Sequence, residues 1–153
     1  MPREIRFTES QFLVPFLRAI TYRSTNAMST ITRPPIVLLI DDEDDTRSVW
    51  CMVLELEGMT AISAANGEEG LSKAILHRPD LIITDFMMPG IDGLEVCRRV
   101  RADERLGDVR LILWSAAGGI DAKGLADLVV EKPVQIEVLL RHVQCLVRGA
   151  DRE

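Results

Sequence analysis

Five polar side chains stand where runs of apolar residues stop. Asp41 and Asp42 follow IVLLI, Asp85 follows LIIT, Ser115 follows LILW, and Lys132 comes soon after LVV. Three carboxylates gathered within a few ångströms repel one another strongly enough that one takes up a proton unless a cation intervenes. Mg²⁺ suits that arrangement, because it prefers octahedral oxygen ligands, keeps several waters, and sits on one or two carboxylates together with a phosphate oxygen. A lysine adds a compact cation for phosphate oxygens, and a serine adds a hydroxyl donor. A carboxylate can also accept a phosphoryl group itself, as an acyl phosphate. The set therefore reads as a site for Mg²⁺ and a phosphoryl group, where alignment and charge neutralisation carry the chemistry. Asp85 is the expected nucleophile, provided that its strand is central.

Such convergence needs a particular scaffold. The run IVLLI predicts a strand, and TRSVWCMVLELEG predicts a helix on which Val49, Met52, Val53 and Leu56 share a face and Gly58 ends the turn. TAISA is a second strand. In NGEEGLSKAILHRPD, Asn66 caps a helix with Glu69 three residues on, and Leu71, Ala74 and Ile75 face inward. LIIT, the loop FMMPGI and a helix opened by Asp92 with Glu95 form the third unit, with Leu94, Cys97 and Val100 recurring along the helix. After LILW, the stretch AAGGIDAKGLAD holds three glycines and too few apolar repeats for a long helix. LVV and a final helix with Ile136, Leu139, Leu140, Val143 and Val147 complete five βα units. Almost wholly apolar strands alternating with helices predict an α/β domain with a doubly wound, five-stranded parallel sheet. Ligands of such sheets bind outside the carboxyl ends of the strands, where these five residues stand.

Composition sets the bounds. A chain of 153 residues, 47% hydrophobic and 27% charged, has room for one domain with a real core and not for two of full size. Its net charge of −6 opposes broad binding to nucleic acid or anionic membranes, so neither direct nucleic-acid contact nor membrane insertion is expected. Residues 1–33 hold five Arg and two Glu and run into STNAMSTITRPP, leaving a charge of −9 for the rest. They are expected to be a poorly ordered extension or linker, with Met28 as an alternative start; alternatively Phe7, Phe12, Leu13, Phe16 and Leu17 form a docking helix. The domain proper is expected over 34–148, with 149–153 as a tail. Cys51, Cys97 and Cys145 show no metal spacing and read as core or boundary thiols of a cytoplasmic protein. His77 and His142 lie on helices without ligand partners, and Trp114 reads as core.

The motifs IDDE, TDFMMPGIDG, WSA and EKPV, in this order at successive strand ends, resemble the receiver domain of bacterial response regulators, a flavodoxin-like fold, from about Ile36 to Val147. The resemblance implies that Asp85 is the phosphoacceptor and that Asp41, Asp42 and Asp85, with the Met87 backbone carbonyl, hold Mg²⁺. It implies a switch hydroxyl at Ser115 and a phosphate-pairing cation at Lys132, whose bond to Pro133 is often cis in that family. It further implies a sensor histidine kinase or phosphotransfer protein as donor, and a downstream protein target reached through the fourth helix, fifth strand and fifth helix. Such a domain is a phosphorelay component that assists its own phosphorylation, not a conventional enzyme.

Departures from the family pattern bear on output. Val129 stands where an aromatic is usual, and the interval from Ser115 to Lys132 is short, so the fourth helix is expected to be shortened to one turn or absent. Met87 and Ala117 occupy positions that often tune hydrolysis, and neither can orient water, which predicts a long-lived phosphoryl group. Two other readings compete. DEDDT, from Asp42 to Thr46, fits the nucleophile motif of haloacid-dehalogenase-type phosphatases, although no acidic pair follows Lys132. A receiver-like adaptor acting without phosphorylation is the other. Because the chain stops soon after the last helix, a stand-alone receiver is expected.

Overall fold

A computed structural model describes residues 33–149. The expectations for residues 1–32, including Met28 and the apolar cluster from Phe7 to Leu17, lie outside the described residues. Five strands, β1 (Ile36–Ile40), β2 (Thr60–Ala64), β3 (Leu81–Asp85), β4 (Arg110–Ser115) and β5 (Leu128–Glu131), form one sheet. Its order is β2-β1-β3-β4-β5, and all pairings are parallel. Four helices, α1 (Asp44–Leu56), α2 (Gly67–His77), α3 (Gly93–Ala102) and α4 (Ile136–Gly149), connect or follow the strands. The sheet is therefore doubly wound, and the strand carrying Asp85 is central. Among the described residues, no helix is long and apolar enough to cross a membrane.

Strand alternation divides the core in two. Val37, Leu39, Leu81, Ile83, Ile112 and Trp114 pack against Trp50 and Leu54 of α1 and Leu139, Val143 and Val147 of α4. Leu38, Ile40, Ile82, Leu111 and Leu113 face the other way, onto Ala74 of α2 and Val96, Cys97 and Val100 of α3. Each fully buried Leu or Ile contributes roughly 1.5–3 kcal/mol, so this double layer fixes the strand ends that carry the site.

The capping signals place the helices as the sequence implies. Asn66 Oδ1 accepts from the Glu69 N–H at 2.9 Å, and Glu69 Oε2 accepts from the Ala65 N–H at 2.9 Å. Asp92 Oδ1 accepts from the Glu95 N–H at 2.8 Å. Gly58 has a φ of 81° and ends α1, where the Met59 N–H donates to the Leu54 carbonyl at 3.1 Å.

Three expectations need correction. On α1, Val49, Met52 and Leu56 are 51%, 61% and 57% exposed, and the buried stripe is Trp50 and Leu54 with Val53 beside it. The apolar periodicity was real but marked the outer face, because the bulky Trp50 sets the inward direction. Ile136 on α4 is likewise 41% exposed. Cys145 is exposed and is neither core nor boundary, whereas Cys97 is buried and Cys51 half-buried. His77 is exposed and His142 half-buried.

No helix forms between Ser115 and Leu128, so the shortened fourth helix is absent altogether. Ile120, Ala122, Leu125 and Ala126 of that connection still pack on the α2/α3 side of the core. Arg101 holds it in place of helical hydrogen bonds. Its guanidinium donates to the carbonyls of Leu125 (2.9 Å), Gly107 (3.1 Å) and Val109 (2.6 Å), and pairs with Asp127 at 3.0 Å. Asp127 in turn accepts from the Leu111 N–H at 2.7 Å.

Candidate functional site

The parallel register brings the acidic residues to one edge. Ile40 pairs with Thr84 and Asp85 pairs with Trp114, so Asp41, Asp85 and Trp114 form a row across β1, β3 and β4. The Asp41 N–H donates to the Ala64 carbonyl at 3.1 Å, which carries the ladder one residue past β1. Strand parity turns this row toward the α1/α4 layer. Lys132 leaves the end of β5 over the row.

Carboxylate oxygens of Asp41, Asp42 and Asp85 lie within 4.8 Å of one another. Asp41 is 1% exposed, Asp85 is 8% exposed, and Asp42 is open to solvent. The Lys132 ammonium stands 3.0 Å from Asp41 Oδ2 and 3.4 Å from Asp85 Oδ1. Burial raises the Asp85 carboxyl above the ordinary carboxylate range; Lys132 opposes that shift, and the Asp41 charge adds to it. Asp41 is further oriented locally. Its Oδ1 accepts from the Glu43 N–H at 2.9 Å, and its backbone carbonyl accepts from Arg47 at 2.7 Å.

The donor set fits Mg²⁺. Oxygens about 2.1 Å from an octahedral ion lie about 4.2 Å apart across it, so small side-chain adjustments would gather these three carboxylates around one ion. Hard oxygen donors with one face open at Asp42 leave room for waters and a phosphate oxygen.

Ser115 is fully buried at the end of β4, one residue beyond the Trp114–Asp85 pair. Its Oγ accepts from the Ala117 N–H at 3.0 Å, and its carbonyl accepts from the Lys132 N–H at 2.7 Å. Parity turns its side chain toward the glycine-bearing connection, away from the row of carboxylates. Met87, two residues past Asp85, is exposed. The Lys132–Pro133 bond is cis.

Among the described residues, other acids stay out of the cluster. Asp44 and Asp45 lie in the first turn of α1, where negative charge favours the helix dipole, and Asp44 pairs with Arg47. The second aspartate of DEDDT, Asp44, is thus a helix-start residue and not a partner of the carboxylate cluster. Burial pushes the Cys97 thiol up to about 11, consistent with an inert core residue.

Trp114 is buried, as a core residue should be, but its ring also receives Lys132, whose Nζ lies 4.5 Å from the ring centroid. Strand parity was the available signal, since Trp114 must face the same side as Asp85. The Arg101 anchorage carried no such signal, because three of its four acceptors are backbone carbonyls.

A doubly wound sheet with an acidic, lysine-bearing edge at its central strand defines a receiver-type signalling domain. The response regulator receiver domain family matches residues 37–144, and the chain belongs to that family. It is 42% identical over 123 residues to the transcriptional regulatory protein AfsQ1 of Streptomyces coelicolor, covering 78% of this chain and 54% of that protein. It is 36% identical to the DNA-binding dual master transcriptional regulator RpaA of Synechocystis, covering 77% and 51%. The chain thus spans about half the length of these curated relatives. Among solved structures, the response regulator TrrA of Thermotoga maritima in complex with Mg²⁺–BeF matches with a TM-score of 0.68 at 34% identity, covering 73% of this chain and 98% of that one. The chemotaxis protein CheY4 of Vibrio cholerae matches with a TM-score of 0.69 at 28% identity, covering 74% and 98%.

Proposed function

We propose that this domain accepts a phosphoryl group on Asp85, in a Mg²⁺-dependent reaction, from a sensor histidine kinase or phosphotransfer protein, and thereby switches its binding to a downstream protein. The placement of Asp85 at the end of the central strand, with Asp41, Asp42 and Lys132 around it, carries this reading. A relative solved with Mg²⁺–BeF supports it.

In the transfer, an Asp85 carboxylate oxygen attacks phosphorus, a P–O bond forms, and the P–N bond to the donor imidazole breaks, with the electron pair leaving on nitrogen. Mg²⁺ held by Asp41, Asp42, Asp85 and the Met87 carbonyl would supply charge neutralisation on the phosphoryl oxygens. Lys132 moves its ammonium from the carboxylates to a phosphoryl oxygen as Asp85 loses its charge. Ser115 gives up its bond with Ala117 and donates its hydroxyl to another phosphoryl oxygen, drawing the start of the β4–β5 connection with it. The domain is a phosphoacceptor that assists its own phosphorylation and dephosphorylation, not an enzyme acting on a separate substrate.

Output would then run through the helix-free connection, β5 and α4. With half-buried Val129 packed on the α2/α3 side of the core, no aromatic side chain is available at that position to follow Ser115. Met87 and Ala117 offer hydrolytic water no polar side-chain partner, so the acyl phosphate should persist; decay within seconds would count against that. The −9 charge of residues 34–153 disfavours direct nucleic-acid contact by this domain itself, and three free thiols suit the cytoplasm.

The test is intact-mass spectrometry after incubation with acetyl phosphate, with and without Mg²⁺, on wild type and Asp85→Asn. One Mg²⁺-dependent phosphoryl adduct, absent from the variant, is expected. An adduct that persists in Asp85→Asn would overturn the assignment.

A further inference from the structure

We propose that Trp114 is a positioning residue for this site: its ring face seats the Lys132 ammonium and keeps it beside the acceptor oxygen of Asp85 while the carboxylates change partners. The proposal rests on reading Asp85 as the phosphoacceptor.

Lys132 has three seats. Two are anionic, Asp41 Oδ2 at 3.0 Å and Asp85 Oδ1 at 3.4 Å, and the third is the Trp114 ring, with its centroid 4.5 Å from Nζ. Phosphoryl transfer withdraws both anionic seats. Asp85 loses its charge on forming the acyl phosphate, and Asp41 is needed by the cation that neutralises the phosphoryl oxygens. The ring alone keeps its charge distribution throughout. An indole face attracts an ammonium more strongly than any other side-chain ring, and it occupies none of the N–H donors that the phosphoryl oxygens will need.

The indole is held for that task by packing. Trp114 is 4% exposed, and Trp50 meets it edge-on, with centroids 5.3 Å apart and planes at 90°. Its Nε1 is buried without a hydrogen-bond partner among the described residues, so no polar contact sets the ring's orientation. An aliphatic side chain would fill the same place in the core and leave no buried donor, but it would offer Lys132 no π face. Trp50 lies on the inward stripe of α1, so the same ring pair links the lysine to the helix that follows Asp41 and Asp42.

Two measurements test this. In the first, Trp114→Phe and Trp114→Leu are compared with wild type for the rate of acetyl-phosphate adduct formation at saturating Mg²⁺, with Mg²⁺ affinity read by calorimetry. Phe, which keeps a ring face, should stay within about threefold of wild type, and Leu should fall about tenfold, with Mg²⁺ affinity held within about twofold in both. In the second, Trp50→Phe leaves Trp114 as the single tryptophan of the chain, and its emission is followed on adding Mg²⁺ and beryllofluoride. Emission should shift as Lys132 moves toward the fluoride ligands, and adding Lys132→Met should change the starting spectrum and abolish the shift.

A Leu variant that is folded by circular dichroism and phosphorylated at the wild-type rate would overturn the proposal. So would a Trp114 spectrum indifferent to Lys132→Met, a result that needs no substitution at Trp114 and stands even if the Leu variant does not fold. Absence of any adduct on wild type would instead overturn the phosphoacceptor reading on which the proposal rests.

Discussion

Replacing Gly93 with alanine should damage the domain far more than its position at the start of a helix suggests. A Cβ added there would lie 2.2 Å from the Asp85 carbonyl oxygen, 2.9 Å from the Asp85 carbonyl carbon and 2.8 Å from Leu113 Cδ1. Contacts shorter than 3.0 Å are essentially never seen, so α3 and the end of β3 must separate by at least 0.8 Å. The nearest atom in the way is backbone, and the Gly93 N–H bond to the Phe86 carbonyl at 2.9 Å ties the same two segments together. Overpacking costs about 1–3 kcal/mol when side chains can yield; a backbone clash belongs at the top of that range. Alanine's better helix propensity returns about 0.5–1 kcal/mol, leaving a net loss of about 2–2.5 kcal/mol. At about 4 °C per kcal/mol, the melting temperature should fall by roughly 10 °C. Gly107→Ala, whose new Cβ meets nothing nearer than the Asp103 carbonyl at 4.0 Å, is the control and should stay within about 0.5 kcal/mol. Thermal denaturation of both variants by circular dichroism gives the comparison. Equal melting temperatures would refute the reasoning, because they would mean that the contact between α3 and β3 is loose.

Three further outcomes follow from the packing and electrostatics. Without Mg²⁺, Asp85→Asn should unfold at a higher temperature than wild type at pH 7: the folded carboxyl titrates above its unfolded value, so its charge costs stability there, and the penalty is relieved as the pH falls through the folded value toward the ordinary one near 3.8. An advantage for Asn that grew on acidification would contradict this sign. Arg101→Ala should cost roughly 2 kcal/mol and speed hydrogen exchange at the Leu111 amide, which Asp127 accepts, as the β4–β5 connection loosens. On α1, Leu54→Ala should cost about 2–5 kcal/mol in urea denaturation and Met52→Lys less than about 0.5 kcal/mol; the reverse ranking would mean that the helix is rotated.

The sheet, its parallel order and the edge bearing the site were legible because apolar runs end abruptly in polar residues. Asn66 and Asp92 advertised their helices through side chains that bond only locally. The orientation of α1 was less legible: Val49, Met52 and Leu56 repeat as regularly as a buried stripe, and only the tertiary space for Trp50 decides between the faces. The short, glycine-bearing stretch after Ser115 pointed toward a reduced helix, but not to its replacement by one guanidinium. Arg101 looks like any basic residue on a helix, since carbonyl acceptors leave no trace in composition. Trp114 hid its second role for a related reason, because a ring that fills a core and a ring that seats a cation are the same residue type.

The helix-free passage from β4 to β5 has a topological consequence. Crossing between neighbouring parallel strands takes about a dozen residues, and residues 116–127 supply that number with little to spare. The link therefore has almost no slack in one direction and ample tolerance in the other. Removing two or three residues would strain the closure or pull Leu128 out of register with Ile112, whereas inserting several would cost only a few tenths of a kcal/mol in chain entropy. The segment's length is thus a lower bound set by geometry, so variation there can proceed by growth and hardly at all by loss.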